Sequence, residues 1–174
     1  MKTLFYMLFV FLAGCSTNKP VTFSFGSDFK LTFPAEQIAG STIFYSDELS
    51  IKTDKGAVFS GRVLSREDDA LPENFEMGDY PKYILKIKPI GETQSYYDKF
   101  IQSSNEIDHV YGLENTAIDE SENWTIYSLC RDRACLAFVV KMYVEEYILT
   151  VHAANVDGQE FLRMIRGALN AKSQ

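Results

Sequence analysis

Alternating apolar and polar positions recur along most of this chain and predict a protein built mainly of strands. Residues 21–25 and 29–33 are two such runs, with the turn signal Gly26-Ser27-Asp28 between them and Pro34 closing the second. Runs at 42–45, 49–53 and 57–65 follow at short spacing. Asp54-Lys55-Gly56 joins the last two as a hairpin turn, because glycine takes positive φ without strain. Leu49, Ile51 and Thr53 alternate with Ser50 and Lys52, the mark of a half-buried strand. Residues 83–90 are apolar, with Lys86 and Lys88 alternating, and read as a strand. The C-terminal third holds three successive strands, at 124–129, 136–143 and 147–152. In the second of these, Leu136, Phe138, Val140 and Met142 share one face, while Ala137, Val139 and Tyr143 take the other with Lys141. Apolar residues on both faces imply an interior strand covered from two sides.

Two stretches change period. In residues 94–107, Tyr97, Phe100 and Ile101 fall at helical spacing, the face continues through Ser104 to Ile107, and Gly112 is the stop. After Asp157-Gly158-Gln159-Glu160, a near match to a capping box, Phe161, Leu162, Ile165 and Leu169 form the stripe of a helix that docks on a sheet. Residues 66–69 are charged, 71–75 read as a loop or a short turn of helix, and 115–122 read as an acidic loop with a weak strand at Ala117 and Ile118. The order is strands, a middle helix, three strands and a final helix. The expected fold class is α+β: an antiparallel β-sheet with a middle helix and a C-terminal helix packed on it.

The closing pattern resembles the end of PsbP/Mog1-type domains: the Trp124 strand, the Phe138 strand, Tyr147-Ile148-Leu149-Thr150-Val151 and the Phe161/Leu162/Ile165/Leu169 helix. Phe29-Lys30-Leu31-Thr32-Phe33-Pro34 resembles their opening strand. Those domains are mostly binding and assembly factors, so the resemblance implies a binding role; a shared fold by itself assigns no function.

Length and charge narrow the picture. The 174 residues fit one domain, and 24 acidic against 17 basic residues give a net charge of −7. Nucleic acid is therefore an unsuitable partner, since phosphate backbones need clustered positive charge. The three cysteines divide unevenly. Lys2, an apolar run over 4–12 and the small residues Ala13 and Gly14 lead into Cys15, which reads as a secretory signal peptide. The run is too short for a stable membrane span, which needs about 20 residues. Leu12-Ala13-Gly14-Cys15 resembles the lipobox of bacterial lipoproteins. The resemblance implies cleavage before Cys15 and lipid on its sulfur and new N-terminus. Ser16 in place of aspartate implies sorting to the outer membrane, with the domain facing the periplasm. A plain N-terminal helix, or a signal peptide with a chance cysteine, is the competing reading. The expected organisation is a signal peptide at 1–14, a lipid-anchored tether at 15–21 and a single α+β domain at 22–174. Loss of Lys2 takes the balance from −7 to −8.

Cys130-Arg131-Asp132-Arg133-Ala134-Cys135 lies between two strand runs. The two cysteines would face each other across a hairpin neck, and an oxidising compartment would join them. A redox motif usually places two residues between its cysteines, and a zinc site would need ligands beyond His109 and His152. A structural disulfide with an exposed Arg131-Asp132-Arg133 tip is the expectation.

The chain carries no phosphate loop, nucleophile elbow or metalloprotease motif. No catalytic residue, metal or cofactor is expected. His152, at the end of the last strand, reads as a hydrogen-bonded structural residue sooner than a general base. His109 closes the middle helix, and Trp124 reads as core. Glu67-Asp68-Asp69 and Glu114, Asp119, Glu120 and Glu122 are acidic clusters that would bind calcium, face a basic protein or simply be solvated. Tyr80, Tyr83, Tyr96 and Tyr97 crowd one segment, either as a core edge or as an interface. Arg131, Arg133, Asp119, Glu120 and Glu122 are the candidate partner-binding residues. The expected function is a non-enzymatic protein-binding module in the cell envelope, as an immunity or assembly factor. The alternative is a small-ligand or cell-wall binder, or a minor hydrolase, with a pocket near His152.

Overall fold

The computed structural model describes residues 19–45 and 48–170. The expected signal peptide, the lipobox-like segment and most of the expected tether lie outside them. Strands β1 (Val21–Phe25) and β2 (Phe29–Phe33) pair antiparallel around Gly26, whose φ is 62°. This hairpin forms a two-stranded sheet of its own. It lies across one face of a larger sheet because Phe25, Phe29, Leu31 and Phe33 need cover. Its approach is close: a Cβ at Gly61 would fall 2.9 Å from the Phe25 ring, so only glycine fits there.

Pro34 ends β2 as expected, and one helical turn, α1 (Ala35–Ile38), follows. The large sheet has seven strands: β3 (Thr42–Tyr45), β4 (Leu49–Lys52), β5 (Val58–Ser65), β6 (Ala117–Glu120), β7 (Trp124–Arg131), β8 (Ala134–Lys141) and β9 (Tyr147–Ala154). Their spatial order is β3-β4-β5-β9-β8-β7-β6, and every neighbouring pair is antiparallel. The fold class is α+β, as the pattern of elements indicates.

The apolar residues on the two faces of β8 feed two cores. Ala137 and Val139 join Ile126, Leu149 and Val151 under the β1–β2 hairpin and α4 (Gly158–Asn170). Leu136 and Phe138 join Tyr127, Leu129 and Ile148 under α2 (Tyr80–Ile84) and α3 (Tyr97–Tyr111). Phe161 and Ile165 of α4 are fully buried. Asp157 caps α4, its Oδ1 accepting from the backbone N–H of Gln159 and Glu160. The middle helix runs three to four residues later than its periodicity indicates and ends at Gly112.

Two expectations are corrected. Residues 83–90 are not a strand. Pro81 presets the first turn of α2, and Tyr80 and Ile84, one turn apart, are buried on the face turned to the sheet. Lys86 then takes φ 57° and ends the helix. The alternation of Lys86 and Lys88 reflects solvent exposure after that break, with Lys82 and Lys88 both pairing to Asp79. The strand expected over 136–143 stops at Lys141. Met142 and Tyr143 form an exposed turn, with Tyr143 at φ 68° and 94% exposed.

Candidate functional site

The hairpin at Cys130 and Cys135 has a tighter loop than four residues. Arg131 pairs with Ala134, so the loop is Asp132-Arg133 alone, with φ of 49° and 67°. Two central residues at positive φ make the turn that matches strand twist. Cys130 and Cys135 are directly opposed and disulfide-bonded, with Cα atoms 4.2 Å apart.

The arginines of this hairpin are engaged within the protein. Arg131 donates from Nη1 to the carbonyls of Asp108 (3.0 Å) and His109 (3.2 Å), and from Nη2 to Glu114 Oε1 (2.7 Å). A cation on the free carbonyls of a helix end is favourable. Gly112, at φ 71°, leaves the space the guanidinium occupies. The Arg131 hydrogen bond holds the Glu114 carboxyl below its usual range. Arg133 donates to the carbonyl of Asn155 at 2.7 Å. Beside the hairpin lies a cleft of about 410 Å³, lined by Arg131, Arg133, Cys130, Asp157 and Gln159 among others.

The structure does not bring the five candidate partner-binding residues together. Glu120 pairs with Thr125 on β7, six residues from Arg131, or about 20 Å along the strand. Glu122 lies in the turn beyond Glu120. Asp119 is bonded to Arg166 on α4. Two residues of the other acidic cluster are also engaged within the protein, although Glu67 and Asp68 are exposed. Asp68 accepts from the backbone N–H and hydroxyl of Ser65, and Asp69 accepts from the Tyr80 hydroxyl at 2.6 Å and pairs with Lys99 at 2.8 Å. Burial and the Asp69 charge push the Tyr80 hydroxyl pKa up. Among the described residues, no group of three or more His, Cys, Asp or Glu is disposed to hold a metal ion. Three of the crowded tyrosines form an aromatic cluster: Phe100 sits 5.1 Å from both Tyr80 and Tyr96, 5.8 Å from Phe75 and 6.1 Å from Tyr83.

His152 lies inside β9, two residues before its end, opposite Ser60 and Leu136. Its Nδ1 is hydrogen-bonded to the Tyr111 hydroxyl at 2.9 Å. Burial pushes its pKa down, with Glu48 opposing and Arg62 adding to the shift. Burial thus favours the neutral ring, and Tyr111 partners it at the C-terminal end of α3. His109 faces a shallow depression on the outer side of α3 with Asp98, Ile101 and Glu106.

The opposite end of the sheet holds a cluster that sequence reasoning passed over. Asp28, in the β1–β2 turn, accepts from the hydroxyls of Ser27 and Tyr147, and those two hydroxyls lie 3.2 Å apart. Lys141 donates to the Asp28 carbonyl at 2.9 Å. The Ser27 and Tyr147 hydrogen bonds, with the Lys141 charge, hold the Asp28 carboxyl below its usual range. The same carboxylate pushes the Tyr147 hydroxyl pKa up. The Phe29 and Tyr147 rings meet edge-on at 6.2 Å. A cleft of about 390 Å³ opens here, with Ser27, Asp28, Lys30, Asn123 and Lys141 on its walls. Only the turn signal at Gly26-Ser27-Asp28 hinted at it, because Asp28 and Tyr147 are 119 residues apart.

These features share one orientation. From Phe25, beside the turn that holds Asp28, β1 leads back four residues to Val21, about 14 Å at strand rise. The chain therefore comes in at one end of the hairpin, while Asp28, Lys141 and the Met142–Tyr143 turn occupy the other.

No family model, no curated protein and no solved structure matches this chain.

Proposed function

We propose that the protein is a lipoprotein held in the outer membrane through Cys15, facing the periplasm, and that its domain binds another envelope protein without catalysing a reaction. The membrane is reached through the lipid on Cys15; among the described residues no helix is long and apolar enough to cross a membrane. The hairpin disulfide supports exposure to an oxidising compartment. The observation that carries the binding role is the arrangement along the sheet. The tether leaves from one end, and the solvent-exposed Met142–Tyr143 turn, beside the Asp28–Lys141 cleft, lies at the other. A module anchored this way presents an apolar tip with a polar cleft away from the bilayer, the composition expected of a contact surface. An immunity factor against a basic toxin is one form of this reading, with Glu120 and Glu122 adding negative charge on the flank. An assembly role, which the PsbP/Mog1 resemblance implies, is another form in the same class.

A small polar ligand is the second reading. The Asp28 cleft favours it, with Asp28, Asn123 and Lys141 offering acceptor and donor groups; His152 no longer does, being engaged by Tyr111.

A photo-crosslinking residue at Tyr143 in the full chain tests the proposal in intact cells. One discrete envelope-protein adduct is expected, absent when the probe sits at Lys55 on the tether side. Cys15→Ser should release the chain from the membrane fraction. Retention of Cys15→Ser in that fraction would overturn the anchor, and equal adducts from both probe positions would overturn the contact surface.

A further inference from the structure

The two edges of the seven-stranded sheet are built differently. The β6 edge carries Asp119 and Glu120, and Arg166 ties it to α4. The β3 edge reads Thr42-Ile43-Phe44-Tyr45, without a charge. All four residues are exposed: Ile43 by 48%, Phe44 by 59% and Tyr45 by 82%. An edge strand offers a row of unpaired backbone N–H and C=O groups, and proteins usually guard it with charge, proline or a bulge. Among the described residues, none of these stands in β3.

We propose that β3 is a self-association edge: two copies of this chain pair antiparallel through β3, with Phe44 on the two-fold axis. The register follows from symmetry. An antiparallel pairing of identical strands has its dyad perpendicular to the sheet, so one residue must face its own copy. Placing Phe44 there sets Phe44 against Phe44 of the second copy and Ile43 against Tyr45 on both sides. Aromatic–aromatic and aromatic–β-branched pairs are the favourable cross-strand combinations.

Charge allows this meeting at β3 and opposes it at β6. Self-pairing through β6 would bring Asp119 and Glu120 against their copies. At β3, Lys52 and Lys55 with Asp54 between them leave one end of the interface net positive, and Glu48 flanks the other. The antiparallel arrangement turns the basic end of one copy toward the acidic end of the next. The β6 carboxylates lie six strand spacings away, about 29 Å, which is more than three Debye lengths at physiological ionic strength. The overall negative charge is therefore largely screened at this edge.

Area sets the strength. The exposed parts of Ile43, Phe44 and Tyr45 amount to roughly 350–400 Å² per copy, taking aromatic side chains at 150–250 Å² each. Two copies contribute roughly 700–800 Å², short of the ~1,200 Å² where stable interfaces begin. The association is accordingly weak and concentration-dependent.

Cysteine scanning of the full chain tests the register. Phe44→Cys places two thiols across the dyad at ~4.5–5.5 Å between Cα atoms, inside disulfide reach. Ile43→Cys faces Tyr45 of the second copy, and its own copy is ~7–8 Å away, outside that reach. On non-reducing gels Phe44→Cys should give a species of twice the monomer mass, in yield well above the parent and Ile43→Cys. Light scattering of the parent chain in mild detergent should show a mass that rises with protein concentration. Phe44→Lys, which sets two like charges directly opposed, should hold the mass at the monomer value with unchanged circular dichroism. A parent chain that stays monomeric throughout, or equal cross-linking at 43 and 44, would overturn the proposal and leave a strand from another protein as the occupant of this edge.

Discussion

Reducing the Cys130–Cys135 bridge should cost the protein about 2 kcal/mol and leave it folded. The magnitude follows from the loop it closes. The cysteines are five positions apart, so the cross-link removes the closure entropy of a loop of about six residues, near 7.4 cal/mol/K, or ~2.2 kcal/mol at 25 °C on the chain-entropy model. Two other features act on the same hairpin. The Asp132-Arg133 turn already favours the native register, so part of the closure entropy is lost in the reduced chain as well. Arg131 and Arg133 then hold the hairpin to α3 and to Asn155. Reduction should therefore lower the melting temperature by roughly 4–8 °C, at 2–4 °C per kcal/mol for a domain of this size. The denaturant m-value should not change. Arg131→Ala should be more damaging in reduced protein than in oxidised protein, because the disulfide and the arginine restrain one element and their effects are coupled. Denaturant titrations of the parent and Arg131→Ala, each with and without reductant, read both quantities. Unfolding on reduction alone, or additive losses in the four titrations, would refute this account of the hairpin.

Phe100→Ala should cost about 4 kcal/mol, within the ~3–5 kcal/mol range for deleting a buried phenylalanine, since the ring touches four other aromatic rings. A loss under ~1 kcal/mol by urea titration would mean that α3 is not clamped through this ring. His152 should make the protein less stable in mild acid. Burial sets its folded pKa below the unfolded value near 6.5, so the unfolded chain takes up the proton first as pH falls. Stability is full above pH ~6.5 and is lost as pH drops from there toward the lower folded pKa. Urea midpoints at pH 7.5 and 5.5 should differ in the parent and differ less in His152→Asn; equal slopes in the two proteins would count against it.

The strands and the C-terminal helix were legible because their packing is local in sequence. Phe161 and Ile165 sit where a 3.6-residue period puts them. The two apolar faces of Leu136–Val140 announced a strand with cover on both sides, and the cysteine spacing announced a cross-strand pair. Residues 83–90 misled because a short buried helix followed by exposed lysines shows the same alternation as a strand. Pro81, which presets a first helical turn, is the better signal in this segment. The β1–β2 hairpin was legible as a hairpin, but its separation from the main sheet was not. Nothing in a strand pattern says whether its neighbour is hydrogen-bonded beside it or stacked on its face.

The candidate sites divide in the same way. Sequence by itself determined the element types over most of the chain, the disulfide partners and the capping of α4, since each depends on residues within a few positions of one another. Tertiary structure alone decided the rest. It engaged Arg131 at the end of α3 and His152 with Tyr111, and it separated Arg131 and Arg133 from Glu120 and Glu122. It also joined Asp28 to Tyr147 and left β3 as an uncharged edge. Each of these depends on which distant strands become neighbours, and backbone hydrogen bonding in a sheet is indifferent to side-chain identity. The order β3-β4-β5-β9-β8-β7-β6 is chosen by how both faces are buried at once, a property of the whole chain and of no single segment.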